Sequence, residues 1–89
     1  MDSKFKPGDL VLWTSQVRGI EKRKTGTFIR IVGINEDAFA GLRIKANRRK
    51  GQQYNRVSVR ALVEVPRGGK SILTDFYTPR LEVIKHASR

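Results

Sequence analysis

The chain has 89 residues, with 19 Lys and Arg against eight Asp and Glu, a formal net charge of +11 and no cysteine. That length gives a single domain, residues 1–89, with a modest core and no room for a catalytic domain beside a regulatory one. The missing cysteines exclude disulfides and thiolate metal sites, and the short apolar runs fall far below the roughly 20 residues that a membrane span requires.

The N-terminal segment 1–6 is polar and carries no signal or transit pattern, which sets the expectation of a cytoplasmic protein, nucleoid- or ribosome-associated in one version. Lys6-Pro7-Gly8-Asp9 is a turn, because Pro fixes φ and Gly supplies a permissive backbone. Residues 10–14 follow as a first strand, apolar on both faces. Residues 16–24 are polar and basic, hold Gly19, and read as a long loop. Residues 27–34 form a second strand, Asn35-Glu36-Asp37 a turn, and residues 39–46 a third strand. Residues 47–55 make a second long loop of charged and amide side chains.

Residues 56–65 alternate most clearly. Val57, Val59, Ala61, Val63 and Val65 fall on one face, and Ser58, Arg60, Leu62 and Glu64 on the other, as for a half-buried strand. Pro66-Arg67-Gly68-Gly69-Lys70 closes a hairpin. Residues 71–77 return as a strand, 81–84 form a last short one, and the tail 85–89 is expected to be flexible. Short strands at this spacing with no helical period predict an all-β fold, a small five- to six-stranded antiparallel barrel with long basic loops. The predicted core is Val11, Trp13, Ile29, Ile31, Leu42, Ile44, Val57, Val59, Val63, Ile72, Phe76, Leu81 and Val83.

Three segments carry a family resemblance. Phe5-Lys6-Pro7-Gly8-Asp9-Leu10-Val11 resembles the opening of SH3-like barrels of the KOW and Tudor type, which often begin with an aromatic residue, a Pro-Gly-Asp turn and a valine. Thr25-Gly26-Thr27-Phe28-Ile29 resembles their second strand and Leu81-Glu82-Val83-Ile84 their closing one. The likeness covers the two ends of the chain and the second strand. Residues 56–77 depart from it, forming a longer hairpin than a minimal SH3-like barrel needs, and an OB-like barrel is the alternative. The resemblance implies binding, commonly to RNA, DNA, ribosomes or peptide segments, without catalysis; a fold alone does not choose among these partners.

Charge narrows the choice. Repulsion of this size works against compactness, so a polyanionic partner is expected, nucleic acid first. No acid occurs between Ala38 and Val63, a window holding Arg43, Lys45, Arg48, Arg49, Lys50, Arg56 and Arg60. A second cluster, Arg18, Lys22, Arg23, Lys24 and Arg30, contains only Glu21 as an acid. Lys and Arg neutralise phosphates and release counterions, and Arg also clamps a phosphate or a guanine edge with two hydrogen bonds. In a small barrel the loops at one end lie together, so the two clusters are expected to merge. Within the third strand Arg43 and Lys45 would point outward with Phe39, and Arg60 with Ser58 on the fourth.

Tyr54, between Gln53 and Asn55 in the basic loop, is the candidate for stacking on bases; Tyr77 reads as core-edge packing and Trp13 as core. Gly69-Lys70-Ser71 is not a phosphate-binding P-loop, since Glu64 stands where that motif needs glycine and a strand rather than a helix is expected after it. His86 is the sole histidine, and no metal site or cofactor is expected. The acids are scattered and assemble no nucleophile–base–orienter set, so the chain is expected not to be an enzyme. The competing expectation is a protein-interaction module that docks an acidic protein surface, with Leu12, Phe28, Phe39 and Leu62 as its apolar patch.

Overall fold

The computed structural model describes residues 4–87, and its first hairpin begins at a turn that the sequence disguises. β1 (Leu10–Val17) and β2 (Ile20–Val32) pair antiparallel from Leu10↔Thr27 to Val17↔Ile20, leaving only Arg18 and Gly19 between them. Both have positive φ, 53° and 79°, the backbone of a tight hairpin turn whose twist matches the flanking strands. Glycine adopts it freely, whereas Arg18 does so at a steric cost. The basic stretch 16–24, expected as a long loop, is therefore mostly paired strand, and its charges alternate between two faces.

β2 next pairs with β3 (Arg60–Pro66), with a bulge between Phe28 and Arg30. A bulge adds one residue to one strand and breaks strict alternation. Ile29 accordingly packs against one apolar cluster and Ile31 against another, although simple alternation assigns both to one face. β4 (Thr74–Tyr77) forms the second hairpin with β3, from Val63↔Tyr77 to Pro66↔Thr74, around the positive-φ Gly68 and Gly69. β5 (Lys85–His86) pairs with Val11 and Leu12 of β1. These strands make one five-stranded antiparallel sheet in the order β4-β3-β2-β1-β5, an open sheet rather than a closed one. The described residues include no α-helix, only 3-10 turns at Ala46–Arg48 and Leu81–Val83, and none of their helices is long and apolar enough to cross a membrane.

Each face of the sheet carries its own small core. On one face Phe28, Ala61 and Val63 pack with Val11 and Trp13 of β1, closed off by Phe5 and Ile84. On the other, Val32, Leu62 and Phe76 are covered by Ala38, Phe39 and Ile44. The cover is the segment 33–59, and it is not a strand at 39–46. Apolar side chains spaced for a strand serve here as plugs in an irregular chain that lies across the sheet. Arg30 fastens its start: its guanidinium donates to Glu36 Oε1 at 2.7 Å, to the Asp37 carbonyl at 2.7 Å and to the Ala38 carbonyl at 3.1 Å. Main-chain bonds from Asn35 N–H to the Asn55 carbonyl and from Ala38 N–H to the Gln53 carbonyl fold the segment back on itself.

Several expected core residues move outward for local reasons. Asn55 Oδ1 accepts the N–H groups of Val57 and Ser58, a side-chain turn that competes with the strand ladder. β3 therefore starts only at Arg60, Val57 is 81% exposed and Val59 is also exposed. Residues 71–73 remain in the hairpin loop, so Ile72 is 97% exposed. Leu42 is exposed on the cover, and the 3-10 turn Leu81–Val83 buries Ile84 while Val83 faces solvent. Val11, Trp13, Ile44, Val63 and Phe76 are buried as expected. Phe28, Phe39 and Leu62 are buried too, so the apolar patch proposed from them with Leu12 does not form. Lys85 and His86, expected in a flexible tail, are hydrogen-bonded strand; Ser88 and Arg89 lie outside the described residues.

The second hairpin is held by a buried carboxylate. Asp75 Oδ1 accepts from Arg67 at 2.6 Å, and this hydrogen bond, supported by the positive charges of Arg67, Lys50 and Arg48, holds the Asp75 carboxyl below its ordinary 3.8. A group whose folded pKa is depressed stabilises the fold above its unfolded pKa and loses that contribution as pH falls through the folded value. The thermal midpoint is therefore expected to fall on acidification below about pH 4, and Asp75→Asn to flatten that fall while lowering the midpoint at neutral pH. Thermal scans of both proteins across the acid range check this. Equal slopes would show that the pair does not contribute.

Candidate functional site

The basic side chains divide into those the fold consumes and those it leaves free. Arg48 donates through Nε to the Thr74 carbonyl at 2.6 Å and through Nη2 to Thr74 Oγ1 at 2.8 Å, with its guanidinium 5.4 Å from the Phe76 ring centre. Arg49 donates through Nε to the Ile44 carbonyl at 2.9 Å and lies 5.4 Å from the Phe39 ring centre. Lys50 N–H donates to the Phe76 carbonyl at 2.8 Å, so residues 48–50 run along the outer edge of β4 and cover it. Arg60 donates to the Thr78 carbonyl at 2.8 Å. Arg48, Arg49 and Arg60, all candidates for a partner's phosphates, are thus engaged within the chain, as is Arg30.

Arg18, Lys22 and Arg23 on the first hairpin, and Arg43, Lys45, Lys50 and Arg56 on the cover, are exposed, and their side chains form no ion pair among the described residues. Most carboxylates are committed instead. Glu36, Asp75 and Glu82 pair with Arg30, Arg67 and Arg80. Asp9 is held below the usual carboxylate range first by the Lys6 backbone N–H and then by His86, whose Nε2 lies 3.2 Å away. His86 also packs 4.6 Å from the Phe5 ring centre, so it joins β5 to the Pro7-Gly8 turn. Each Arg–carboxylate pair sets one cation against one anion and leaves the formal net charge at +11. No group of three or more His, Cys, Asp or Glu that could hold a metal exists among the described residues.

Tyr54 is 58% exposed, and Gln52 and Gln53 beside it are exposed too. Asn55 is buried and spends its carbonyl oxygen on its own turn, which removes it from the expected set of base-reading amides.

One open cleft, of about 230 Å³, is lined by Lys50 and Arg60 of the second basic cluster, and Lys24 of the first lies over Tyr77, another lining residue. The hairpin register sets Trp13 opposite Lys24 and Ser15 opposite Lys22, and directly opposed residues share a face. Lys24 Nζ lies 4.6 Å from the Tyr77 ring centre and 3.5 Å from its hydroxyl. Tyr77 meets Trp13 edge-on, at 6.0 Å and 62°. On the far side, Gln52 N–H donates to Thr78 Oγ1 at 2.8 Å. Gly51 sits so close to Thr78 that a Cβ there would strike its side chain and amide. Trp13, Tyr77 and Pro79 thus give the cleft an apolar lining, with Lys50, Gln52 and Arg60 around it and no carboxylate among the lining residues. Partial burial, and after it the charge of Arg80, lower the Arg60 pKa, and its Nε is buried without a hydrogen-bond partner.

Of the predicted site residues the structure sets Lys50 and Arg60 in the cleft lining, with Lys24 over Tyr77, and does not bring Arg18, Lys22, Arg23, Arg43, Lys45, Arg48, Arg49, Tyr54 or Arg56 into that lining. Sequence reasoning placed Trp13 in the core and Tyr77 at its edge, as the structure does, but missed the cleft that both line. The signal was Val17-Arg18-Gly19-Ile20: a two-residue turn at that point fixes Trp13 opposite Lys24. Comparison of the chain with protein-family models, with curated proteins and with solved structures found no match in any of the three.

Proposed function

We propose that the chain is a non-catalytic nucleic-acid-binding module, an SH3-like barrel in form, that holds the sugar–phosphate backbone of RNA or DNA. The observation that carries this reading is the partition of charge. Most carboxylates are committed to partners within the chain, while Arg18, Lys22 and Arg23 stay exposed without an ion pair on the first hairpin and Lys50 does so at a carboxylate-free aromatic cleft. Unpaired cations on a surface repel one another, and a polyanion relieves that repulsion while gaining entropy from released counterions. The barrel form is supported by the Pro7-Gly8-Asp9 turn before β1 and by the return of β5 to pair with β1, which brings the last strand back to the first.

Fluorescence anisotropy with labelled single-stranded RNA, single-stranded DNA and duplex DNA across a salt series tests the reading. Affinity is expected to fall steeply, with a log–log slope of about 0.9 per neutralised phosphate on duplex and about 0.7 on single strands. A flat salt response, or no binding to any of the three at low salt, overturns it.

A further inference from the structure

We infer that the Trp13–Tyr77 cleft receives one unpaired nucleobase, so that the protein reads single-stranded nucleic acid in preference to duplex. This rests on the nucleic-acid reading above and deepens it.

The size of the cleft is the first argument. At about 230 Å³ it lies below the roughly 300–1,000 Å³ of sites that enclose a drug-sized ligand, which leaves room for one ring system. A base within a duplex is stacked and paired and would have to be extruded to enter, whereas a single strand offers it directly. The lining chemistry is the second. Tyr77 is half-buried and Trp13 is 5% exposed at the base of the cleft, with their planes at 62°. A planar ring laid parallel to the half-buried Tyr77 stands at that same angle to Trp13, close to the edge-on arrangement aromatic groups prefer.

Charge placement is the third. Lys24 lies over the Tyr77 ring and Lys50 lines the cleft, so a strand passing the ring meets two ammonium groups near the inserted base. The backbone then continues along the hairpin arm toward Lys22, which shares the face of Lys24. Arg60 Nε, buried with no partner, and the exposed Gln52 amide supply hydrogen-bonding groups at the same place. The cleft is also built in advance: Gly51 and Gln52 are locked to Thr78, so binding orders little.

Trp13 is the sole tryptophan, and its emission therefore reports on the cleft alone. The full chain is titrated with oligo-uridine, oligo-thymidine and a duplex of equal length, following Trp13 emission alongside the anisotropy of labelled strands. Single strands are expected to bind and to change Trp13 emission, and the duplex to bind more weakly without changing it. Tyr77→Leu should weaken single-strand binding by about tenfold or more, the usual effect of losing a stacked base. Gln52→Ala, at an exposed side chain, should weaken it several-fold in a protein whose folding is not in question. Single strands that bind with unchanged Trp13 emission and no response to either variant overturn the cleft and leave the nucleic-acid reading standing. Uridine monophosphate that binds as tightly as the oligomer also overturns it, assigning the cleft to free nucleotides. No binding by any strand at low salt removes both readings together.

Discussion

Leu62→Ala is expected to destabilise the protein by about 2–5 kcal/mol, while Val57→Ala changes stability by no more than about 0.5 kcal/mol. Leu62 is 0% exposed and belongs to the second cluster with Val32, Phe39 and Phe76. Its neighbours Ala61 and Val63 are equally buried on the opposite face of β3, so the strand cannot shift to refill the cavity without disturbing the first cluster. Domains of this kind are held by only about 5–15 kcal/mol, so this single truncation removes a large share of the total. Val57 makes no comparable contribution, because the Asn55 turn lifts it off the sheet. Alternation in the sequence ranks the two the other way, with Val57 in the core and Leu62 in solvent. Urea midpoints at an unchanged m value decide between them, and a larger loss for Val57→Ala would reject the two-faced sheet.

What the sequence made legible was whatever depended on nearest neighbours. The Pro7-Gly8-Asp9 turn forms as read, with Asp9 N–H donating to the Lys6 carbonyl at 2.9 Å, and the hairpin around Gly68 and Gly69 forms as well. The all-β antiparallel class follows from the same local signals. The misreadings share a physical origin. A hairpin turn with arginine at its first position lacks the Asn-Gly or Asp-Gly signature, so the longest strand pair was hidden in a charged loop. A bulge at Ile29 reverses the side-chain period without any marker in composition. Phe39 and Ile44 have the spacing of a strand, yet with Arg30, Arg48 and Arg49 anchoring the chain around them they act as plugs beneath an irregular cover. The cleft depends on register across three elements, which no local pattern contains.

The two classes of basic residue should fail in different ways. Arg18→Gln, Lys22→Gln and Arg23→Gln together remove three cations that have no ion pair within the chain among the described residues. Their joint effect is expected in binding: affinity at low salt falls by about tenfold or more, and the salt slope drops by up to about one for each residue that met a phosphate. Stability should hold or rise slightly, because the substitutions reduce self-repulsion in a chain carrying +11. Arg48→Ala should do the reverse. It strips two charge-assisted hydrogen bonds from Thr74 and the guanidinium from the Phe76 ring, at a cost of about 1.5–3 kcal/mol, and leaves the salt slope of the folded fraction unchanged. Urea denaturation and salt-dependent anisotropy on the same preparations separate the two. An arm variant that loses stability but keeps its slope, or an Arg48→Ala protein that keeps its stability but loses slope, would show that the division between clamp and contact is drawn in the wrong place. If both behave as expected, the net charge follows from a division of labour, with a few arginines closing the fold and the remainder held in solvent at an energetic cost that only a bound polyanion offsets.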